Sequence, residues 1–310
     1  MGSDQNQTSA NSSSGDLGDG DLGDGDLGDG GLGDGGLPEP VTAAGRDGLE
    51  AILAAPERAV IALDFDGTLA PIVPDPDRAR AHPEAVPALA ALAPKVAAVA
   101  VVTGRPAEVA VRNGGFAGVA GLDHLVVLGH YGAERWEAAT GKVTAPDPHP
   151  GVEAVRREFP EVLASVPQSR GTWIEDKGRA LAAHTRRAED PEAAFEALRE
   201  PLYALAERHG LIVEPGRMVL ELRPPGMDKG VALCAYLRDV GAGAVLYAGD
   251  DLGDIPAFDA VEALRGEGLP GVLVCSANDE VRELASRADV VVPDPEGVVR
   301  LLAALAARLG

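Results

Sequence analysis

The chain has 310 residues, 45% of them hydrophobic but only 4% aromatic, and a formal net charge of −22. This length provides one large or two medium domains, whose core must consist mainly of aliphatic side chains. The acidity argues against nucleic acids and anionic membrane surfaces as partners. No apolar stretch approaches the roughly eighteen residues of a membrane-spanning helix. The N-terminus also lacks the basic and apolar regions of a signal peptide, so we expect no membrane segment and no ordinary signal peptide.

Residues 1–40 form a Gly- and Asp-rich segment that we predict to be disordered. They hold eight aspartates, no lysine and no arginine, and a five-residue Asp-Leu-Gly-Asp-Gly unit repeats from Asp16 onward. Glycine at every second or third position leaves too little apolar surface to compensate for the entropy lost on ordering. Calcium-binding β-rolls also repeat glycine and aspartate, but their unit is longer, so the period argues against that structure.

From Ala59 onward, strand-like and helix-like runs alternate, which is typical of a parallel sheet covered by helices on both faces. The strands predicted for this sheet are 59–63, 95–102, 125–128, 244–248, 271–275 and 290–292. The accompanying helices are predicted at 43–55, 82–92, 106–112, 228–239, 256–264, 280–286 and 295–309. The strands are almost entirely apolar, as expected when both faces of a sheet are buried.

The pattern changes between Pro146 and Pro224, where the sequence predicts an inserted unit. Its elements are a helix (152–165), two strands (171–176 and 179–186), a second helix (191–209) and two further strands (211–214 and 218–223). Such an order is typical of an α+β unit with an antiparallel sheet. The predicted fold is therefore α/β: a doubly wound, mostly parallel, Rossmann-like core with an inserted α+β cap. The predicted organisation is a disordered tail (1–40), the first part of the core (41–147), the cap (148–223) and the second part of the core (224–310).

Polar residues follow the ends of several predicted core strands. Asp64 and Asp66 follow the first strand, Thr103 the second, and the aspartates of 250–254 the fourth, while Lys229 begins the first helix after the cap. Each feature alone is also typical of a turn, a helix N-cap or a solvated lysine. Because ligands bind beyond the carboxyl ends of parallel strands, we expect these residues to converge. Together they supply a carboxylate nucleophile, oxygen ligands for a divalent cation, and a lysine and hydroxyl for phosphoryl oxygens, as phosphoryl transfer requires.

These clusters resemble the four motifs of the haloacid dehalogenase-like phosphatases, which are represented here by 64–68, Thr103, Lys229 and 250–254. Three further stretches narrow the resemblance to the trehalose-6-phosphate phosphatase family over residues 45–310. They are 129–134, the run 174–178 followed by His184, and 221–224 leading into 228–230. The last motif departs from the family, because Gly253 and Ile255 stand where the family usually has threonine and glutamate.

The resemblance implies Mg²⁺-dependent hydrolysis of trehalose 6-phosphate through an aspartyl-phosphate. Asp64 would be the nucleophile, Asp66 the general acid and base, and Thr103 and Lys229 would bind the phosphoryl group. The implied metal ligands are Asp64, the backbone carbonyl of Asp66, and Asp250, with Asp251 and Asp254 as supporting or alternative ligands. The implied substrate-binding residues are Gly67, Thr68, Gly104, Arg105, Glu134, Glu175, Lys177, His184 and Glu221. The inserted unit would act as a lid that excludes water and contacts the sugar.

Other functions are compatible with parts of this pattern. The substrate could be another sugar phosphate, such as sucrose 6-phosphate or glucosylglycerol phosphate, and a phosphohexomutase is a weaker alternative. From a different class, the chain could be a catalytically silent partner of a trehalose-phosphate synthase, and functional coupling to such a synthase is expected even for the active enzyme. Cys234 and Cys275 lie in apolar contexts typical of buried free thiols, which indicates a reducing, cytoplasmic location.

Overall fold

The computed structural model describes residues 36–277 and 282–310. Most of the predicted disordered tail, and the first residues of the helix predicted over 280–286, lie outside these ranges. The strands are β1 Ala59–Leu63, β2 Ala98–Val102, β3 Leu125–Gly129, β4 Glu134–Glu137, β5 Lys142–Thr144, β6 Trp173–Asp176, β7 Leu181–His184, β8 Ile212–Gly216, β9 Val219–Arg223, β10 Ala244–Gly249, β11 Gly271–Ser276 and β12 Val290–Val292. The helices are α1 Ala43–Ala54, α2 Ala85–Leu92, α3 Ala107–Gly114, α4 Pro150–Ser165, α5 Pro191–Arg208, α6 Lys229–Val240, α7 Ile255–Gly266, α8 Arg282–Arg287 and α9 Pro295–Arg308.

Eight strands form the central sheet in the order β12-β11-β10-β1-β2-β3-β4-β5. The six strands from β12 to β3 are parallel, whereas β4 and β5 continue the sheet as an antiparallel hairpin. Alternate side chains of β1 point to opposite faces, with Ile61 in one apolar cluster and Val60 in the other. Helices α1, α2, α3 and α9 cover the first face, and α6, α7 and α8 cover the second. The core therefore has the doubly wound architecture that the alternation predicts.

The remaining four strands form a separate antiparallel sheet in the order β6-β7-β9-β8. We call this sheet, together with α4 and α5, the cap. Its residues alternate along each strand: Leu181, Ala183 and Leu220 pack against Phe159 and other residues of the two helices. The opposite, more polar face carries the residues that alternate with these, and it is directed toward the carboxyl ends of the core strands. Because side chains alternate along each strand, one face of the cap sheet packs on its helices and the other faces the core.

The fold class is as predicted, and differences are confined to details. The β4–β5 hairpin was not predicted, because it is short, polar and, in β5, largely exposed. Strand β2 begins three residues later than predicted, since Ala93–Lys95 form a 3₁₀ turn around Pro94. The cap boundaries at 148 and 223 stay predictions. Within the described ranges, no helix combines the length and hydropathy that crossing a bilayer requires.

Candidate active site

The sheet topology brings the predicted site residues to one edge. Strand β1 pairs in parallel with β2 on one side and with β10 on the other, so the residues that follow these three strands are neighbours. Asp64, Thr103 and Asp250 accordingly lie together, and all three are buried. Lys229 joins them from the N-terminus of α6, where the side chain of Asp228 caps the helix by accepting the N–H of Val231 (2.8 Å). The predicted convergence of these groups is therefore observed.

Lys229 links two carboxylates in the floor of the site. Its Nζ lies 2.7 Å from Oδ1 of Asp64 and 2.8 Å from Oδ1 of Asp254. Burial opposes the ammonium charge, but the carboxylates of Asp254 and Asp64 outweigh it and raise the pKa of Lys229 well above its usual value. Buried charges need such compensation, because an unpaired ion in the interior is costly. Lys229 is therefore a fixed positive charge beside the predicted nucleophile.

Asp254 organises the loop that follows β10. Its Oδ1 accepts hydrogen bonds from Lys229 and from the hydroxyl of Tyr247 (2.6 Å). Its Oδ2 accepts the backbone N–H groups of Asp250 (3.0 Å) and Asp251 (3.2 Å). Four donors thus occupy this carboxylate, which positions Lys229 and the loop. Tyr247 was not predicted as a site residue; the one available signal was a tyrosine in an otherwise aliphatic strand.

Asp64, Asp250 and Asp254 form a cluster whose potential ligand atoms all lie within 4.8 Å of one another. Burial and the carboxylates of Asp254 and Asp251 raise the pKa of Asp250 to about 8. Burial likewise raises the pKa of Asp64, although the Lys229 ammonium opposes this shift. Gly67 lies directly against Asp250, and a Cβ on Gly67 would be 2.0 Å from Oδ2 of Asp250. Its φ of +77° also favours glycine. A compact set of buried carboxylates suits a hard divalent cation.

Two of the predicted metal ligands lie outside this cluster. The Oδ1 of Asp251 accepts the N–H of Gly253 (2.8 Å), and the residue is exposed. Asp66 is turned instead toward Arg105, which binds both of its carboxylate oxygens, with Nε 2.6 Å from Oδ2 and one terminal nitrogen 2.7 Å from Oδ1. The prediction that the side chain of Asp251 supplies a ligand therefore receives no support from its position, whereas only a backbone carbonyl was expected from Asp66.

The turn after β3 holds the loop that follows β2. Tyr131 donates its N–H to the carbonyl of Thr103 (3.0 Å), and His130 donates its N–H to the carbonyl of Arg105 (2.9 Å). His130 and Tyr131 have φ values of 48° and 56°, which are unusual for residues with side chains. A Cβ on Gly104 would lie 2.7 Å from the Tyr131 hydroxyl, so a larger residue there would displace the Tyr131 side chain. Tyr131 also lines the cavity and was missed by the sequence analysis.

The polar face of the cap lies above this floor. Lys177 contacts Glu221 and lies 4.0 Å from Oε2 of Glu175. Burial opposes the charge of Lys177, but Glu221 and Glu175 raise its pKa above the usual value. His184 Nε2 lies 2.7 Å from Oε2 of Glu175. Burial alone would raise the pKa of Glu175, but its contacts with His184 and Lys177 lower it. The cap therefore presents an ordered set of alternating charges.

A cavity of about 930 Å³ separates the core and the cap. The predicted residues that line it are Asp64, Asp66, Thr103, Gly104, Arg105, Glu175, Lys177, His184, Lys229 and Asp251. A later part of the loop after β1, comprising residues 72–77 and Ala79, also lines it and was not predicted to do so. Gly67 and Thr68 lie beneath the floor, and the Thr68 hydroxyl is buried without a hydrogen-bond partner among the described residues.

Glu134 and Glu221 are not among the residues that line the cavity, and the expectation that they contact the sugar stays a prediction. Glu134 accepts the N–H of Ala107 at the start of α3 (2.8 Å), and its other oxygen lies 3.3 Å from Nε of Arg179 in the cap. It therefore joins the core to the cap. Glu221 is buried against Lys177. Sequence spacing cannot distinguish a carboxylate that faces a ligand from one that faces a neighbouring cation.

Comparison with known proteins agrees with this geometry. The family model described as Trehalose-phosphatase matches residues 62–293. The chain belongs to the trehalose-phosphatase family. A trehalose-phosphate phosphatase of Mycobacterium marinum is 33% identical to this chain, with 88% of this chain aligned. The aligned region spans 66% of that relative's length.

Two further matches extend the comparison to a second relative and to a solved structure. A probable trehalose-phosphate phosphatase of Sinorhizobium fredii is 32% identical, with 72% of this chain and 82% of that protein covered. The C-terminal domain of the Candida albicans trehalose-6-phosphate phosphatase superposes with a TM-score of 0.66 at 20% identity, covering 87% of this chain and 98% of that one. The last match establishes the shared fold of the family.

Proposed function

We propose that this member of the trehalose-phosphatase family hydrolyses trehalose 6-phosphate to trehalose and phosphate, with Mg²⁺ as cofactor and an aspartyl-phosphate as intermediate. The observation that carries the proposal is the buried Asp64–Lys229–Asp254 arrangement, which opens into a cavity of about 930 Å³ beneath the polar face of the cap. The cavity is of the size that small-ligand sites have, and phosphoryl chemistry at its floor matches the type of residue found there.

In the first step, a carboxylate oxygen of Asp64 attacks phosphorus, and the bond between phosphorus and the sugar oxygen breaks. Asp66, which takes up a proton when it leaves Arg105, donates that proton to the departing oxygen, so that trehalose leaves neutral. In the second step, Asp66 removes a proton from water as that water attacks the phosphorus of the aspartyl-phosphate. The bond to Asp64 then breaks, which releases phosphate and regenerates the carboxylate.

Lys229 and the loop after β2 prepare Asp64 and the phosphoryl oxygens for these steps. The ammonium of Lys229 stabilises the ionised form of Asp64 and, from its fixed position, the negative charge on the transferring group. Thr103 lines the cavity, and its hydroxyl, which accepts the N–H of Arg105 (3.1 Å), offers its own proton to a phosphoryl oxygen. Arg105 holds the carboxylate of Asp66 in one orientation through two hydrogen bonds.

The carboxylate cluster fits a divalent cation, since its potential ligand atoms are hard oxygen atoms that lie within 4.8 Å of one another. Asp64 and Asp250, with the backbone carbonyl of Asp66, would hold Mg²⁺. When bound, the ion neutralises charge on the phosphoryl oxygens. Asp254, already occupied by four donors, would orient the site instead.

The polar face of the cap supports a sugar as the other half of the substrate. Glu175 and Lys177 line the cavity and offer acceptors and donors at a spacing suited to neighbouring hydroxyl groups. Another sugar phosphate is the alternative, because Gly253 lines the cavity and adds no side chain where the family usually has threonine. A silent partner is disfavoured, because the nucleophile, the acid and base, and the buried lysine are all present. The two free cysteines support a reducing, cytoplasmic location.

The test is phosphate release from a panel of substrates in the presence of Mg²⁺. The panel contains trehalose 6-phosphate, sucrose 6-phosphate, glucose 6-phosphate and mannose 6-phosphate, with Asp64→Asn as the inactive control. We expect trehalose 6-phosphate to exceed the others about a hundredfold in kcat/KM, as a few sugar contacts can provide. If hydrolysis requires the metal but another sugar phosphate has the highest kcat/KM, the proposed mechanism stands and the substrate assignment is wrong. The absence of any hydrolysis would favour the silent partner.

A further inference from the structure

The cavity wall formed by the cap contains a column of four side chains, and the proposed mechanism gives a role to only one of them, Glu175. The guanidinium of Arg187 lies over the indole of Trp173, with its carbon 4.5 Å from the ring centroid. The imidazole of His184 also stacks on this indole, with 4.5 Å between the centroids and 9° between the planes. Nε2 of the same imidazole lies 2.7 Å from Oε2 of Glu175. Arg187, Trp173, His184 and Glu175 all line the cavity.

The strand register produces this column. Trp173 and His184 are opposite each other in the antiparallel pair of β6 and β7, and Glu175 lies two residues farther along the same face of β6. Directly opposite side chains in such a pair are close enough to stack. An arginine and an imidazole already contact the indole, so Trp173 is engaged with protein groups as well as lining the cavity. Its contact with His184 restricts the plane of the imidazole ring.

We propose that Trp173 is a positioning residue for substrate recognition. By stacking on His184 it fixes the imidazole, and the imidazole in turn fixes the carboxylate of Glu175 toward the cavity. The inference rests on the proposed function, because it assigns Glu175 a contact with the sugar part of the substrate. A carboxylate held in one rotamer before binding loses less conformational entropy when the sugar arrives. Its contribution is to binding of the intact substrate, and the chemistry at Asp64 does not depend on it.

The experiment compares Trp173→Leu with the wild type on two substrates. For trehalose 6-phosphate we expect KM to rise about tenfold while kcat changes less than about twofold, because an interaction equal in ground and transition states affects KM alone. For p-nitrophenyl phosphate, which contains no sugar and so offers Glu175 no hydroxyl group, we expect kcat/KM to stay within about twofold of the wild type. Trp173→Phe keeps an aromatic ring that can stack on His184, so its KM for trehalose 6-phosphate should lie close to the wild-type value. Tyr203→Leu, at an exposed position of α5, is the matched control and should change neither substrate.

A double-mutant cycle distinguishes positioning from a general loss of structure. We expect Glu175→Gln to raise the KM for trehalose 6-phosphate, and Trp173→Leu to add little in that background, because both changes remove the same interaction. Circular dichroism and a thermal unfolding curve establish whether each variant is folded. The inference would be overturned if the KM of the double variant rose by the product of the two single-variant factors. It would also be overturned if kcat/KM for p-nitrophenyl phosphate fell as much as that for trehalose 6-phosphate.

The outcome for the wild type keeps this test separate from the proposed function. If the wild type hydrolyses trehalose 6-phosphate and Trp173→Leu leaves KM within about twofold, the inference fails and the proposed function stands. If the wild type prefers another sugar phosphate, the substrate assignment fails, and the same cycle with that sugar phosphate decides the role of Trp173. If the wild type hydrolyses no sugar phosphate, both are wrong.

Discussion

Arg105 binds both carboxylate oxygens of Asp66, and neither residue is fully buried: 14% of the Arg105 side chain and 33% of the Asp66 side chain are exposed. Arg105 lies in the loop after β2 and Asp66 in the loop after β1, so the pair links these two loops. A planar guanidinium that makes two parallel hydrogen bonds fixes the orientation of a carboxylate as well as its position. The predicted acid and base therefore has a defined direction before any substrate binds.

Replacing Arg105 with lysine tests this orientation. A lysine ammonium keeps the charge but cannot form the two-point contact. We expect Arg105→Lys to lower kcat for trehalose 6-phosphate about tenfold to a hundredfold, because small misplacements of a catalytic group have effects of that size. Arg112→Lys, at an exposed position in the last turn of α3, is the matched control and should retain the wild-type kcat. A kcat for Arg105→Lys within twofold of the wild type would show that orientation by Arg105 is unimportant.

Replacing Lys229 tests the charge balance of the floor. Lys229→Met leaves the buried carboxylates of Asp64 and Asp254 without their shared cation. We expect the free energy of unfolding to fall by about 3 kcal/mol in the absence of metal, as is usual when one partner of a buried ion pair is removed. Urea denaturation measures this change, and phosphatase activity should be lost as well. Adding Asp254→Asn to Lys229→Met should recover part of the stability, and a double variant no more stable than the single one would contradict this explanation.

Mg²⁺ binding should depend on pH through Asp250. Its raised pKa means that the metal-free protein holds a proton on this carboxyl group below about pH 8, whereas a metal ligand must be ionised. Mg²⁺ must displace that proton, so we expect the affinity to rise with pH, by up to about tenfold for each pH unit below the pKa, and to level off above it. Calorimetric titrations in two buffers with different ionisation enthalpies measure the released proton. Asp250→Asn should abolish binding, while Asp259→Asn, at an exposed position of α7, should bind normally. Affinity independent of pH between 6 and 8 would refute this role of Asp250.

Glu134 should affect stability rather than sugar binding. Its two oxygens contact the N–H of Ala107 and the guanidinium of Arg179, and it lies outside the cavity lining. We expect Glu134→Gln to lower the free energy of unfolding by about 1 kcal/mol, with the KM for trehalose 6-phosphate unchanged. Glu137→Gln, in the same strand but more exposed, should change neither quantity measurably. A large rise in KM with unchanged stability would restore the sugar-contact role first expected for Glu134.

The sequence predicted the elements whose signals are local, and it predicted the site through their topology. The strands at 59–63 and 244–248 are recognisable because every residue in them except Tyr247 is aliphatic, and parallel pairing then brings Asp64 and Asp250 to the same edge. The spacing also predicted the antiparallel sheet of the cap. The metal site, the catalytic roles and the boundaries of the cap stay predictions until the experiments above are done.

What the sequence did not predict depends on long-range packing. Tyr247 reaches Asp254 only because the loop after β10 folds back on its own strand. Tyr131 reaches the cavity wall through a turn in which His130 and Tyr131 have positive φ values, a conformation that neither residue favours intrinsically. The role of Glu134 depends on Arg179, a residue of the cap distant in sequence. Such partners are set by the assembled fold, and composition or periodicity carries no record of them.

The alternation of side chains in the cap separates two kinds of mutational freedom. Residues such as Leu181 and Leu220 maintain the apolar contact with α4 and α5, whereas Glu175, His184 and Trp173 lie on the other face. Substitutions on the polar face can therefore accumulate without disturbing the contacts that keep the cap folded. A family built on this cap can change the sugar that it accepts while inheriting both the scaffold and the phosphoryl chemistry beneath it.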